Sequence, residues 1–88
     1  MQIEFDLVKD AANLAKHHVS LVAVYEFEWE QCICWQDLRI KYTERREYAI
    51  GYIGDRLHYL VFTDRPNARR IISLRKANKR EEAFYANA

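Results

Sequence analysis

The chain has 88 residues, half of them hydrophobic, and six Tyr, four Phe and two Trp can supply one core without a disulfide or a metal. We therefore expect residues 1–88 to form a single domain. No apolar run reaches the roughly 20 residues that a membrane-spanning helix needs. The first six residues lack the basic and apolar regions of a signal peptide. These features predict a cytoplasmic protein that makes no membrane contact.

The formal net charge of +1 hides an uneven distribution of charge along the chain. Residues 1–37 carry two Lys against seven acids, a net of −5, whereas residues 38–88 carry twelve Lys and Arg against six acids, a net of +6. A basic half with interleaved aromatic residues favours binding to a nucleic-acid backbone. A solvated surface of mixed charge is the simpler alternative.

The Cys and His residues do not have the spacing of metal ligands. Cys32 and Cys34 are separated by one residue, which we interpret as reduced thiols on a strand. His17 and His18 are adjacent and would point in different directions on a helix, and His58 lies in an apolar run. The motifs of P-loop NTPases, serine hydrolases and zinc proteases are absent from the sequence, so we predict no metal and no cofactor.

The N-terminal third predicts a short strand and two helices. Residues 3–5 alternate as in a strand, and Asp6 is a suitable N-cap for a helix near residues 7–17. That helix is indicated by apolar residues at helical spacing, namely Phe5, Val8, Ala12 and Ala15. Ser20 is the expected N-cap of a second helix that extends to about residue 30. Its expected apolar face contains Leu21 or Val22, Tyr25 and Trp29.

The hydrophobic period changes to two near residue 31. Strands are predicted at residues 32–35, 38–42, 48–53, 57–62 and 71–74. Gly54-Asp55 and Pro66-Asn67 are turn signals, and the run 57–62 is apolar on both faces, as in a central strand. Residues 76–85 are strong helix formers. The predicted fold class is α+β, with two N-terminal helices and one C-terminal helix packed on a mostly antiparallel β-sheet.

The C-terminal third contains groups that suit cleavage of RNA. Strict alternation along the last strand would place Arg69, Ile71, Ser73 and Arg75 on one face. Glu81 and Tyr85 are four residues apart on the last helix and can form a hydrogen bond. In RNA the 2′-OH is the nucleophile, so a protein needs a base for its proton and cations for the phosphate. The alternatives are a helix-surface pair beside solvated arginines and, for His17, a cation at a helix C-terminus.

Four segments of the sequence match motifs that occur together in one protein family. Residues 70–77, RIISLRKA, followed by Glu81 and Tyr85, resemble the signature R-I-I-S-A-R-(R/K)-A with its later Glu and Tyr. Residues 13–20 resemble N-x-x-K-H-G-V-S, with His18 where that motif has Gly. Residues 44–51 resemble E-E-R-(F/Y)-x-A-I-G, and residues 61–65 resemble V-(Y/F)-T-(E/D)-R. In these motifs and their order the chain resembles the BrnT family of bacterial toxins, and residues 26–42 depart most from that family.

This resemblance implies a RelE-like fold and the toxin component of a type II toxin–antitoxin module. It implies a metal-independent endoribonuclease that cleaves RNA, inhibits translation and is neutralised by a cognate BrnA-like antitoxin. The implied partners are the RNA substrate and the antitoxin, in a heteromeric complex such as a heterotetramer, with operator DNA contacted only through the antitoxin. The alternative is a degenerate, non-catalytic module that binds the antitoxin or RNA without cleaving it.

The residue chemistry and the resemblance together give two sets of expected site residues. The expected catalytic residues are Arg65, Arg70, Arg75, Glu81, Tyr85 and His17. The expected RNA-binding residues are Arg46, Ser73, Lys76, Lys79 and Arg80. In this hypothesis the three catalytic arginines hold the scissile phosphate, Glu81 and His17 transfer protons, and Tyr85 orients a base or stacks on a nucleobase.

The same basic residues indicate where a partner would bind. We expect the antitoxin to cover the surface formed by residues 65–80, using acidic and apolar side chains. Head-to-tail self-association is a competing use of the same charges.

Overall fold

The computed structural model describes residues 2–39 and 43–88. Its elements in chain order are β1 (Ile3–Glu4), α1 (Leu7–His17), two 3₁₀ segments (Leu21–Glu26 and Trp29–Gln31), β2 (Ile33–Gln36), β3 (Glu47–Ile53), β4 (Arg56–Arg65), β5 (Ala68–Lys76) and α2 (Lys79–Ala86). The α+β class is therefore confirmed. The strand predicted at 38–42 falls largely on residues 40–42, which lie outside the described residues. Within the described ranges, no helix has the length and apolar character to cross a membrane.

The strands of the described residues form one sheet in the order β1-β5-β4-β3-β2. β1 is parallel to β5, whereas the pairs β5–β4, β4–β3 and β3–β2 are antiparallel. The mostly antiparallel sheet and the central position of β4 are thus as predicted. The β3–β4 hairpin turns at Gly54-Asp55, where Gly54 has a φ of 63° that favours glycine. The β4–β5 hairpin turns at Pro66-Asn67.

The second predicted helix is not an α-helix. After the Ser20 N-cap the chain forms the two 3₁₀ segments. The buried side chains of the first segment and its C-cap recur every three residues, at Leu21, Val24 and Phe27, which matches the three residues per turn of a 3₁₀-helix. The predicted apolar face was wrong at Tyr25, which is 64% exposed. Of the alternatives Leu21 and Val22, Leu21 is the buried one, and Trp29 packs against the core as predicted.

Helix α1 has the predicted bounds but buries an unexpected face. Asp6 caps it as predicted, because its carboxylate accepts hydrogen bonds from the N–H groups of Val8 and Lys9 at 2.7 and 3.2 Å. The apolar spacing that indicated the helix does not mark its buried side, since Val8 is 79% exposed. The buried residue of α1 is Asn13.

The Asn13 side chain forms hydrogen bonds with the backbone of β5 at a position that β1 does not reach. β1 pairs with β5 at Arg69 and Arg70, so the backbone further along β5 needs other partners. The Asn13 side chain donates to the Leu74 carbonyl at 2.7 Å and accepts from the Leu74 N–H at 3.2 Å. It also donates to the Val19 carbonyl at 2.8 Å. A helix side chain therefore takes the place of a neighbouring strand.

The sheet has two faces, which we name by what covers them. The 3₁₀ face packs against the 3₁₀ segments, and its buried side chains include Ala49, Leu60, Phe62, Ile71 and Leu74. The α2 face packs against helix α2 and has a smaller core of Ile50, Leu57 and Ala77. Half-buried aromatic side chains surround that smaller core, namely Trp35, Tyr52, Tyr59 and Tyr85.

A β-bulge lies in the middle of β5. Phe62 pairs with Ile71, but the preceding residue of β4, Val61, pairs with Ser73. Ile72 is therefore an extra residue on β5, and side chains beyond it switch faces relative to strict alternation.

The bulge overturns the predicted arrangement of the last strand. Ile71 and Leu74 are both buried in the core of the 3₁₀ face. Arg69 also lies on the 3₁₀ face, where it stacks on the Phe62 ring, whereas Arg75 lies over Tyr59 on the α2 face. The prediction that Arg69, Ile71, Ser73 and Arg75 share one face was wrong, because alternation alone does not reveal an inserted residue.

Helix α2 begins three residues later than predicted because of a capping box. The Asn78 side chain accepts from the Glu81 N–H, and the Glu81 carboxylate accepts from the Asn78 N–H, each at 2.9 Å. β5 extends to Lys76, so two residues connect the strand to the helix.

We expect Asn13→Ala to lower the free energy of unfolding by about 2–4 kcal/mol, because each buried backbone group left without a partner costs about 1–3 kcal/mol. Urea unfolding followed by tryptophan fluorescence measures this. The control is Leu14→Ala, a neighbouring position that is 49% exposed, for which we expect a loss of about 0.5–1 kcal/mol. Equal losses for the two variants would contradict the role of Asn13.

Candidate active site

An ion pair between β5 and α2 lies at the centre of the candidate site. The Nη1 and Nη2 atoms of Arg75 each donate to one carboxylate oxygen of Glu81 at 2.8 Å. The guanidinium also lies over the Tyr59 ring, 4.3 Å from its centroid. Arg75 is thus held in one orientation, and a planar fork of this kind binds phosphate as well as it binds carboxylate.

The ion pair determines the charge of both partners. Burial raises the pKa of the Glu81 carboxyl, but hydrogen bonds from Arg75 and the Asn78 N–H outweigh burial and hold that pKa below the ordinary value of 4.5. The hydrogen bonds to Glu81 in turn raise the pKa of Arg75. Glu81 is therefore ionised at neutral pH and can accept a proton.

A chain of tyrosines supports Arg75 from below. The rings of Tyr59 and Tyr48 are 5.4 Å apart, and the Arg39 guanidinium lies over Tyr48, 5.1 Å from the ring centroid. The buried carboxylate of Asp37 accepts from Arg39 Nε at 3.2 Å. Burial raises the pKa of both phenols, so both keep their protons at neutral pH.

His17 and Ser73 line a groove between α1 and β5. Its volume is about 240 Å³, and its other lining residues are Lys9, Ala12, Asn13, Lys16 and Ile72. Burial lowers the pKa of His17 below the ordinary value of 6.5, and the charges of Lys16, Arg75 and His18 lower it further. The fold therefore brings His17 within the electrostatic influence of Arg75, as a neutral imidazole at neutral pH.

Arg65 and Arg70 belong to a second cluster. Arg65 donates to both carboxylate oxygens of Glu44 at 3.1 Å. Glu4 lies 3.6 Å from Arg65 and 3.7 Å from Arg70, and Asp6 lies 3.8 Å from Arg70. Three carboxylates thus surround these two guanidinium groups, so the cluster has no excess of positive charge.

The second cluster and the Arg75–Glu81 pair lie at different positions along the sheet. Arg70 pairs with Thr63 of β4, and Arg75 pairs with Tyr59. Four residues of a strand span about 13 Å. The exposed basic residues Lys76, Lys79 and Arg80 follow Arg75 directly, so the positive charge of this region is concentrated around Arg75.

Tyr85 lies away from Glu81. Its hydroxyl donates to the Gln31 carbonyl at 2.8 Å, and its ring packs edge-on against Tyr52 with a centroid distance of 5.6 Å. The predicted hydrogen bond between Glu81 and Tyr85 was wrong, because the Glu81 carboxylate is bound by Arg75 and the Asn78 N–H. In this structure Tyr85 attaches α2 to the segment before β2.

The predicted RNA-binding residues lie in two regions. Ser73 is two residues before Arg75 on β5, and Lys76, Lys79 and Arg80 lie at the β5–α2 junction. Arg46 lies just before β3, where its carbonyl accepts the Asp37 N–H at 2.8 Å.

An apolar pocket next to the ion pair was not predicted. Its volume is about 340 Å³, and it is lined by Trp35, Ile50, Tyr59, Arg80, Glu81 and Phe84. One signal for it was present in the sequence: the tight turn at Gly54-Asp55 sets Ile50 opposite Tyr59. The contribution of Trp35 and Phe84 depends on the docking of β2 and α2, which no local pattern specifies.

The described residues contain no group of three or more His, Cys, Asp or Glu side chains placed to hold a metal ion. Cys32 and Cys34 are free thiols, as predicted. Burial raises the pKa of both, so neither is an activated thiolate.

These features define a small α+β protein with an arginine–glutamate ion pair and exposed basic residues at the junction of β5 and α2. A family model described as the ribonuclease toxin BrnT of a type II toxin–antitoxin system matches residues 5–81. The chain therefore belongs to the BrnT family of ribonuclease toxins, which confirms the resemblance and implies an antitoxin partner. A search of curated proteins found no match. The matched region includes Arg75 and Glu81 and ends before Tyr85.

We expect the contribution of the Arg75–Glu81 pair to stability to depend on pH. Because the pKa of Glu81 is lower in the folded protein than its ordinary value of 4.5, the pair contributes fully above that value. The contribution is lost as the pH falls through the folded pKa. Glu81→Gln should thus destabilise the protein at neutral pH, and its difference from wild type should shrink below pH 4.5.

Urea unfolding over a pH series measures this difference. Glu82→Gln removes the same charge from the next residue of α2 and is the matched control. A penalty for Glu81→Gln that stays constant across the acidic range would contradict the assignment.

Proposed function

We propose that the chain is a metal-independent endoribonuclease that cleaves RNA at the Arg75–Glu81 pair. The observation that carries the proposal is the bidentate pair on a basic sheet face, in a chain of a ribonuclease-toxin family. The Arg75 side chain is 31% exposed, so a phosphate from solvent can approach its guanidinium.

In the first step an RNA phosphate replaces Glu81 on the fork of Arg75. The Tyr59 ring supports the guanidinium, so the exchange of anions does not require Arg75 to move. The capping box with Asn78 keeps the Glu81 carboxylate beside the phosphate after the exchange. The Glu81 carboxylate would then lie next to the bound phosphate, which is the position that a base for the adjacent 2′-OH needs.

In the second step Glu81 takes the proton of the 2′-OH. The 2′-oxygen attacks the adjacent phosphorus, the bond from phosphorus to the 5′-oxygen breaks, and the leaving oxygen takes a proton from solvent. The products are a 2′,3′-cyclic phosphate and a 5′-hydroxyl. Arg75 stabilises the charge that develops on the phosphoryl oxygens. The nucleophile and the cation are thus supplied by the RNA and by Arg75, so no step requires a metal ion.

His17 is the second candidate base. Its lowered pKa keeps the imidazole neutral, and its groove adjoins β5 at Ser73. Glu81 is preferred because it contacts Arg75 directly. A larger loss of cleavage for His17→Gln than for Glu81→Gln would reverse this assignment.

The remaining predicted residues are assigned to the flanking RNA. We place Arg70 at a flanking phosphate, because its pairing position lies about 13 Å along the sheet from that of Arg75. Arg65 is placed beside it, because both guanidinium groups contact Glu4. The five residues predicted to bind RNA would contact the backbone on either side, namely Arg46, Ser73, Lys76, Lys79 and Arg80. Tyr85 would act by holding α2 in place.

A non-catalytic module that binds RNA or the antitoxin is the second candidate function. It is favoured by the observation that Arg65, Arg70 and Arg75 are each close to a carboxylate, as in a structural ion-pair network.

We expect Arg75→Ala to reduce RNA cleavage by about 100- to 1,000-fold, the loss that follows removal of one donor to a transition state. Lys79→Ala should cost far less, because an exposed cation adds mainly salt-dependent affinity. The measurement is cleavage of RNA by the purified toxin, with and without EDTA, in wild type and both variants.

Each outcome of that assay has a distinct meaning. Loss of activity in EDTA would refute the metal-independent mechanism. Full activity in Arg75→Ala would remove Arg75 from the site, and equal losses in both variants would favour the binding module.

Membership of the BrnT family also bears on the cellular role of this cleavage and on its control by an antitoxin. We infer that RNA cleavage inhibits translation in the cytoplasm, and that a BrnA-like antitoxin neutralises the toxin by covering the surface formed by residues 65–80. The excess of basic residues in the C-terminal half supports an acidic partner surface. The complex would be heteromeric, for example a heterotetramer, and would contact operator DNA through the antitoxin.

We expect the toxin to co-purify with the product of a neighbouring antitoxin gene. Arg80→Glu should weaken that complex, most strongly at low salt, because it reverses an exposed charge on the covered surface. Lys9→Glu, the same charge change on α1, is the control. A toxin that stays monomeric beside its antitoxin would contradict the assignment.

A further inference from the structure

We propose that the apolar pocket beside Arg75 binds a nucleobase of the RNA substrate, on the nucleotide whose phosphate lies on Arg75. The inference rests on the proposed function and adds a specificity site to it. We name this pocket the base pocket; it is the one lined by Trp35, Ile50, Tyr59, Arg80, Glu81 and Phe84.

The shape of the base pocket suits a flat heterocycle. Trp35 and Phe84 meet nearly edge to face, with centroids 5.3 Å apart and an interplanar angle of 68°. Tyr59 adds a third ring, and the buried Ile50 lies beneath. The volume of about 340 Å³ is near the lower end of the range for ligand pockets, about 300–1,000 Å³. This volume is large enough for one base.

The exposure of Phe84 indicates that the base pocket is incompletely filled. Phe84 is 54% exposed on a helix with charged neighbours. Stacking of a base on Phe84 and Trp35 would cover this aromatic surface. Base–aromatic stacking is a common source of affinity for single-stranded RNA.

The charges around the base pocket favour a nucleotide over other occupants. Glu81 lines the pocket and also binds Arg75, so the pocket and the phosphate site share a wall. Arg80 also lines the pocket. A ligand that fits both places must join an anion to a flat ring, as a nucleotide does. An antitoxin segment with an aromatic and an acidic residue is the competing occupant.

Binding of non-cleavable RNA separates base contacts from phosphate contacts. The probes are short 2′-O-methyl oligonucleotides of each base, and an abasic oligonucleotide of the same length. Phe84→Ala should lower the affinity for the tightest-binding base-bearing probe by about 5- to 150-fold, and should leave the affinity for the abasic probe unchanged. The control is Tyr25→Ala, which removes a comparably exposed aromatic ring from the first 3₁₀ segment and should change the affinity for neither probe.

The two tryptophans provide a second readout. In Trp29→Phe the remaining tryptophan is Trp35 in the base pocket, and in Trp35→Phe it is Trp29, which packs with Phe62 on the 3₁₀ face. A base-bearing probe should quench the fluorescence of Trp35 and not that of Trp29. The abasic probe should quench neither.

Several results would overturn the proposal. Unchanged affinity in Phe84→Ala, or equal losses for base-bearing and abasic probes, would refute base binding. A Phe84→Ala variant that loses only antitoxin affinity would assign the pocket to the antitoxin.

The outcome also separates this inference from the proposed function. If Arg75→Ala abolishes cleavage while Phe84→Ala binds every probe normally, only the base pocket is wrong. If Arg75→Ala cleaves normally while Phe84→Ala loses base-dependent binding, only the catalytic assignment is wrong. A wild-type protein that binds no probe and cleaves no RNA refutes both.

Discussion

The β-bulge at Ile72 determines which side chains of β5 lie on each face of the sheet, because Ile72 has no pairing partner on β4. Ile71 and Leu74 reach the same buried core only because the extra residue lies between them. The same shift directs Arg75 to the α2 face, where its charge meets Glu81. Strict alternation from Ile71 would have placed the guanidinium in the core of the 3₁₀ face, where an unpaired charge is costly. Asn13 then binds the backbone of Leu74, so the edge of the bulged strand keeps its hydrogen bonds.

The candidate site is assembled from parts that each have a structural role as well. Glu81 closes the capping box of α2, and its carboxylate also orients Arg75. Tyr59 belongs to the sheet core of the α2 face and supports the guanidinium. Such shared use fixes the site geometry before a substrate arrives, which is the condition for electrostatic stabilisation of a transition state. Because Arg75, Glu81 and Tyr59 also have these structural roles, their sequence pattern alone does not distinguish them from residues of an ordinary ion pair or an ordinary core.

Local signals predicted the parts of the fold that depend on neighbours in sequence. The Asp6 cap, the Gly54-Asp55 turn and the alternation of β3 and β4 gave the correct elements, because each acts over a few residues. Contacts between distant elements were not predictable in this way. The 3₁₀ form of residues 21–26 follows from how their side chains meet the sheet, and the bulge follows from the pairing of β5 with β4. The base pocket likewise needs β2 and α2 to meet.

The family motif points to Arg65, Arg70 and Arg75 equally, but the structure gives them different electrostatic surroundings. The carboxylates of Glu4, Asp6 and Glu44 balance the first two, whereas among the described residues Arg75 pairs with Glu81 and is followed by a run of exposed cations. In the proposed mechanism a phosphate would compete with Glu81 for Arg75, so the strength of that pair would oppose RNA binding as well as order the site. Lys76, Lys79 and Arg80 can offset this competition, because exposed cations attract a polyanion without first giving up a buried partner. The proposal thus assigns attraction of RNA to the exposed cations and the chemical step to Arg75, which Glu81 and Tyr59 hold in one orientation.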